Sequence, residues 1–124
     1  MTVAYLIPVV AIAAWLVWRL MMNDGATVDC AALEAELGGS NPPVLVDVRT
    51  ESEFSGGHIP GAVNVPLDRL GGIGRAGPKE SNFVVYCHSG TRSSSAQRAL
   101  AGMGYASVRN LRGGIAGWRG KVTR

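Results

Sequence analysis

Two hydrophobic patterns divide the chain. From Thr2 to Met22 the sequence TVAYLIPVVAIAAWLVWRLMM is apolar on every face and carries one charge, Arg19. A helix over this length rises about 30 Å, the thickness of a hydrocarbon core. Tyr5, Trp15 and Trp18 lie toward its ends, where amphipathic rings suit the headgroup level, and Arg19 is close enough to the far end to snorkel. Pro8 falls in the second turn, where a missing donor is tolerated. A chain this short can hardly bury a helix that is apolar all round. A cleaved secretory signal would want basic residues before the run and small residues after it. Here the run closes on Arg-Leu-Met-Met-Asn-Asp instead. The expectation is a single-span membrane anchor over residues 2–22, with Arg19 on its C-terminal flank favouring a cytoplasmic position for the rest of the chain.

Past a linker at residues 23–28, the apolar residues come in short runs between Gly, Pro and polar clusters. Asp29 is placed to cap a short helix through Leu33 and Leu37 that ends at Gly38-Gly39. Val44 to Val48 and Phe83 to Tyr86 are continuous rather than alternating apolar runs, which predicts buried parallel strands. Glu51 to Phe54 predicts a helical turn, Ala62 to Val65 a short strand, and the Gly-rich RLGGIGRAGPKES a loop. Ala96, Ala99, Leu100 and Met103 recur at helical spacing over residues 93–103, with Gly104 as a stop. A last strand is expected over 107–111 and a closing turn over 113–118. Strand and helix alternating in under a hundred residues predict a small open α/β parallel sheet with helices on both faces. Its expected bounds are residues 29–121, leaving 122–124 as a tail.

Length and charge narrow the function. At 124 residues the chain holds one ordinary domain, and a net charge of +3 without basic runs interleaved with aromatics excludes the usual nucleic-acid footprint. The two cysteines, Cys30 and Cys87, make no disulfide framework, and an unpaired thiol suits a reducing compartment. Cys87 and His88 are adjacent, a poor geometry for gripping a metal, and nothing else has metal-ligand spacing. No metal and no cofactor are expected. Cys30, at the start of a helix, reads as a small hydrophobe.

The chemistry concentrates in VVYCHSGTRSSS, residues 84–95. Beyond the C-terminal end of a parallel strand lies the usual crevice of an open α/β sheet. Cys87 sits there, ahead of a helix. The N–H groups of residues 88–93 can converge on one point and the helix adds its positive end. Such a place lowers a thiol's pKa and stabilises an anion attached to it. Gly90 permits the tight wrap and Arg92 supplies a cationic fork.

Three segments resemble the rhodanese family: LVDVRTESEFSGGHIPGAVNVPL (45–67), VVYCHSGTRS (84–93) and GYASVRNLRGGIAGW (104–118). With the N-terminal run, the chain resembles bacterial single-domain forms that carry a membrane anchor. The resemblance implies a thiosulfate sulfurtransferase-like enzyme: Cys87 takes sulfane sulfur from thiosulfate or a persulfide donor, and passes it to cyanide, a small thiol or a protein thiol. His88, Ser89, Gly90, Thr91, Arg92 and Ser93 would form the cradle, with Arg92 holding the donor's oxyanion. Asp47 and Arg49 would support the loop, pairing with each other or fixing its backbone. His58 would stabilise a turn rather than act as a base for Cys87. Related phosphatases follow the loop cysteine with five residues and then an Arg, a spacing this chain does not keep, which speaks against phosphate chemistry. The implied location is a bacterial inner membrane, single-pass, with the domain facing the cytoplasm. A second reading is a membrane-tethered carrier that delivers sulfur to a partner protein.

Overall fold

Five two- to four-residue strands, all parallel, build one sheet in the computed structural model, which describes residues 3–22 and 26–124. In chain order they are β1 (Thr27–Val28), β2 (Val44–Asp47), β3 (Val63–Asn64), β4 (Phe83–Tyr86) and β5 (Val108–Leu111). Their spatial order is β1-β5-β4-β2-β3, so β4 lies at the centre. Strands with apolar residues on both sides need cover on both faces, and the intervening segments supply it. Alternate residues of β4 point opposite ways. Phe83 and Val85 join Leu70, Ile73, Ala96 and Leu100 in one core layer. Val84 and Tyr86 join Leu33, Ile59 and Leu111 in the other.

The helices obey their local signals. Asp29 caps α2 (Cys30–Leu37) by accepting the Ala32 N–H at 2.8 Å, and Gly38 ends it. Thr50 and Glu53 form a reciprocal capping box at the start of α3 (Glu51–Gly56). The helix after β4, α4, spans Thr91–Gly102. It begins two residues before the expected start, because Gly90 adopts a φ of +110° and turns the chain into the helix at once. Residues 67–75, expected within or beside a Gly-rich loop, instead form 3₁₀ turns kinked at Arg69. Leu70 and Ile73, three apart, eclipse on one side of such turns and both are buried, so two anchors compensate for the glycines around them. Tyr105 packs edge-on against Phe83, and Trp118 closes the opposite layer.

The N-terminal residues form a helix, Val3–Met22 (α1), but the expected membrane anchor is overturned. Among the described residues, no helix is long and apolar enough to cross a membrane. The expected membrane contact through residues 2–22, the single-pass location in a bacterial inner membrane and the cytoplasm-facing orientation lose their basis with it.

Phe83, fully buried at the start of the central strand, is the large side chain on which the α4 layer rests. Replacing it with alanine is expected to cost about 3–5 kcal/mol. Urea unfolding should show a lower midpoint at unchanged slope.

Candidate active site

Cys87 comes directly after the last residue of β4, and its side chain ends in the α4 core layer with 1% of its surface exposed. A sulfur so placed has lost nearly all contact with water. Two donors replace it: the Gly90 N–H at 3.0 Å and the Ser93 hydroxyl at 3.3 Å. Burial pushes the thiol pKa up. The Ser93 hydroxyl, with the nearby Ser93, Gly90 and Ser89 amides, outweighs it, so the net shift is downward. The loop therefore favours the thiolate through dipoles rather than through an adjacent full charge. Cys30 shows the opposite environment. Its thiol donates to the Gly117 carbonyl at 3.2 Å, and burial, then Asp29, raises its pKa.

Residues distant in sequence hold the loop. The Ser93 hydroxyl also lies 2.6 Å from Asn110 Oδ1, and Asn110 Nδ2 donates to the Gly90 carbonyl. From the segment after β5, the Ile115 and Ala116 N–H groups donate to the Cys87 and His88 carbonyls, both at 2.9 Å. That contact requires Gly114: a Cβ there would lie 2.6 Å from the Cys87 carbonyl oxygen, at a φ of +59°. His88, Ser89 and Thr91 are exposed at the rim, while Ser93 is buried beneath the sulfur.

The remaining expected residues divide. Asp47 and Arg49, both buried, sit at the end of β2 beside β4 and pair with each other. Arg49 Nη2 reaches Asp47 Oδ2 at 2.7 Å and also donates to the Gly57 carbonyl at 2.7 Å. Asn64 adds two donations to the Asp47 and Arg49 carbonyls. His58 belongs to the turn: its ring stacks on Phe54, Nδ1 donates to the Phe54 carbonyl, and its backbone pairs with Thr123. It is thus occupied away from any role as a base for Cys87. Arg92 differs from expectation. Rather than presenting a free fork, it binds Glu53 in a bidentate pair at 2.7 and 2.9 Å.

Glu53 and Asn110 are site residues that the sequence reading did not single out. For Glu53 a signal existed, since Thr50-x-x-Glu53 is a capping-box pattern. For Asn110 no local pattern points to Cys87. The hydrogen bond from Arg92 holds the Glu53 carboxyl down at about 2, against its ordinary 4.5.

Two measurements probe these contacts. Ser93→Ala removes a donor to the sulfur, so the pH profile of Cys87 alkylation should shift to higher pH; an unmoved profile contradicts the assignment. A carboxyl with a depressed folded-state pKa adds stability above its unfolded value and loses it as pH falls. The stability difference between wild type and Glu53→Gln should therefore be full above pH 4.5 and shrink toward pH 2, as tracked by urea unfolding at each pH.

Comparison with known proteins agrees with this architecture. The family model for the Rhodanese-like domain matches residues 29–121. A sulfurtransferase of Allochromatium vinosum is 38% identical over 98 residues, covering 79% of this chain and 89% of that protein. A thiosulfate sulfurtransferase of Tolumonas auensis is 33% identical over 75 residues, covering 60% of this chain and 71% of that one. Among solved structures, the Rhodanese-like domain of an Anabaena protein superposes with a TM-score of 0.73 at 27% identity, covering 80% of this chain and 79% of that one. A Rhodanese-like domain protein of Staphylococcus aureus gives 0.70 at 29% identity, with coverage of 76% and 91%. The chain belongs to the Rhodanese-like domain family, whose general activity is sulfur transfer.

Proposed function

We propose that this protein moves sulfane sulfur through a persulfide on Cys87, from thiosulfate or a persulfide donor to a thiophilic acceptor. The observation that carries the proposal is the buried sulfur ringed by loop donors. In the first half-reaction the Cys87 thiolate attacks the donor's sulfane sulfur. The new Sγ–S bond forms as the donor's own bond to that sulfur breaks, releasing sulfite from thiosulfate or a thiol from a persulfide. In the second, cyanide or a small or protein thiol attacks the terminal sulfur and Cys87 leaves as thiolate. Both steps conserve electrons overall, so no redox cofactor is called for.

The chain's own groups act at each stage. The Gly90 and Ser93 donors hold the sulfur as an anion ready to attack, and dipoles fixed in place need no reorganisation when charge moves onto the second sulfur. Arg49, paired with Asp47, ties the end of β2 to the turn at Gly57, and Gly114 lets the closing segment clamp the loop. His88, Ser89 and Thr91 form the rim that an incoming donor or acceptor meets.

Intact mass before and after thiosulfate or a hydropersulfide tests this. Wild type and Cys30→Ser are expected to gain one sulfur atom, and Cys87→Ser none. A gain that survives in Cys87→Ser, or no gain from either donor on folded wild type, overturns the proposal.

A further inference from the structure

The charges around Cys87 are unusual for a site that would welcome a dianion. N–H and O–H dipoles favour the negative form of its sulfur. The arginine in the loop and the one just after β2 both already face a carboxylate. Arg49 is paired with the buried Asp47, and Arg92 with Glu53, whose carboxylate the Thr50 amide and hydroxyl also hold. The Arg92–Glu53 pair is about one-third exposed on each side, and Arg92 lies near enough to feel the charge of Cys87. Arg98 and Arg112, which face hydroxyls, line a groove of about 460 Å³ on the other side of the same loop, its walls including Ser89, Gly90, Thr91 and Asn110 but not Cys87.

We propose that Glu53 sets the donor preference: by occupying Arg92 it withholds that residue's charge from the Cys87 thiolate, so a thiol-borne hydropersulfide of low charge loads sulfur faster than the thiosulfate dianion. This rests on the persulfide reading above. With a hydropersulfide R–S–SH, the thiolate attacks the terminal sulfur, the S–S bond breaks and R–S⁻ departs. The proton passes to that thiolate, leaving the anionic Cys87 persulfide and R–SH. No charges of like sign meet on the neutral donor. With thiosulfate, the same attack brings a singly charged nucleophile against a doubly charged donor and releases sulfite. Like charges in a partly desolvated site repel strongly unless a cation lies between them. Arg92 is the residue placed to be that cation, and Glu53 withholds it.

The test compares sulfur loading from thiosulfate and from 2-hydroxyethyl hydropersulfide, by stopped-flow kinetics and intact mass. Wild type should load faster from the hydropersulfide. Glu53→Gln keeps a hydrogen-bonding group but frees the charge of Arg92, and should raise the thiosulfate-to-hydropersulfide rate ratio on the order of tenfold. Adding Arg92→Gln should cancel that gain, which a general loosening of the loop would not explain. A ratio unchanged in Glu53→Gln, while both donors still load, overturns the role of Glu53 and leaves the persulfide reading standing. Failure of folded wild type to load from either donor overturns both. A measurement without mutation guards against a misfolded variant. Salt screens repulsion between like charges, so the wild-type ratio should rise with ionic strength. A ratio that falls with salt would mean that a free cation recruits the dianion, and would sink the proposal.

Discussion

A buried sulfur whose surroundings favour negative charge is the constraint around which this molecule is arranged. Burial alone drives a thiol toward its neutral form, and at 1% exposure Cys87 has no water to offset that. The Gly90 amide can reach the sulfur because residue 90 turns through a positive φ that a side chain would resist. Ser93 reaches it from the first turn of α4, on the same side. The loop keeps this shape because Asn110 holds the Gly90 carbonyl and the segment after Gly114 holds the carbonyls of Cys87 and His88. The five-stranded sheet, in turn, brings the end of β5 beside the end of β4. Sulfur chemistry here is therefore a property of strand order as much as of the cysteine.

Charge is handled in a complementary way. The ion pairs at the site tie separate elements or strand ends together: Arg49 links the end of β2 to the turn at Gly57, and Arg92 links α4 to α3. Such pairs fix geometry well and contribute little net field, because each cation is matched by its own anion. The anion-stabilising work falls to backbone and hydroxyl dipoles, which do not attract every passing polyanion.

Sequence reading recovers the parts of this design that are written locally. Val44–Asp47 and Phe83–Tyr86 declare themselves as buried strands by unbroken apolar runs, Asp29 and Gly38 bracket α2, and Cys87 with Gly90 marks the loop. The parts that escape it depend on distance along the chain. Glu53 and Arg92 lie 39 residues apart and Ser93 and Asn110 lie 17 apart, and only the sheet's topology brings them together. The 3₁₀ turns over Leu67–Arg75 escape because glycines mask a two-residue anchor, Leu70 and Ile73, that has meaning only against the α4 layer. The N-terminal run shows the reverse error. Apolar composition over residues 2–22 reads as a membrane span, whereas among the described residues no helix meets the length and apolarity that a span needs.

The Ser93 hydroxyl has a single hydrogen, yet three acceptors surround it: the Cys87 sulfur at 3.3 Å, the Gly90 carbonyl at 3.2 Å and Asn110 Oδ1 at 2.6 Å. Asn110 presents its oxygen to Ser93 because its amide nitrogen is already committed to Gly90. A protonated Cys87 can thus give its hydrogen to Ser93 while Ser93 gives its own to Asn110. An ionised Cys87 needs the reverse, with the hydroxyl turned back onto the sulfur. Rotation about one C–O bond converts one arrangement into the other, with every heavy atom in place. The pocket can accordingly accompany a change of charge at sulfur by the swing of one proton, leaving the scaffold around it still.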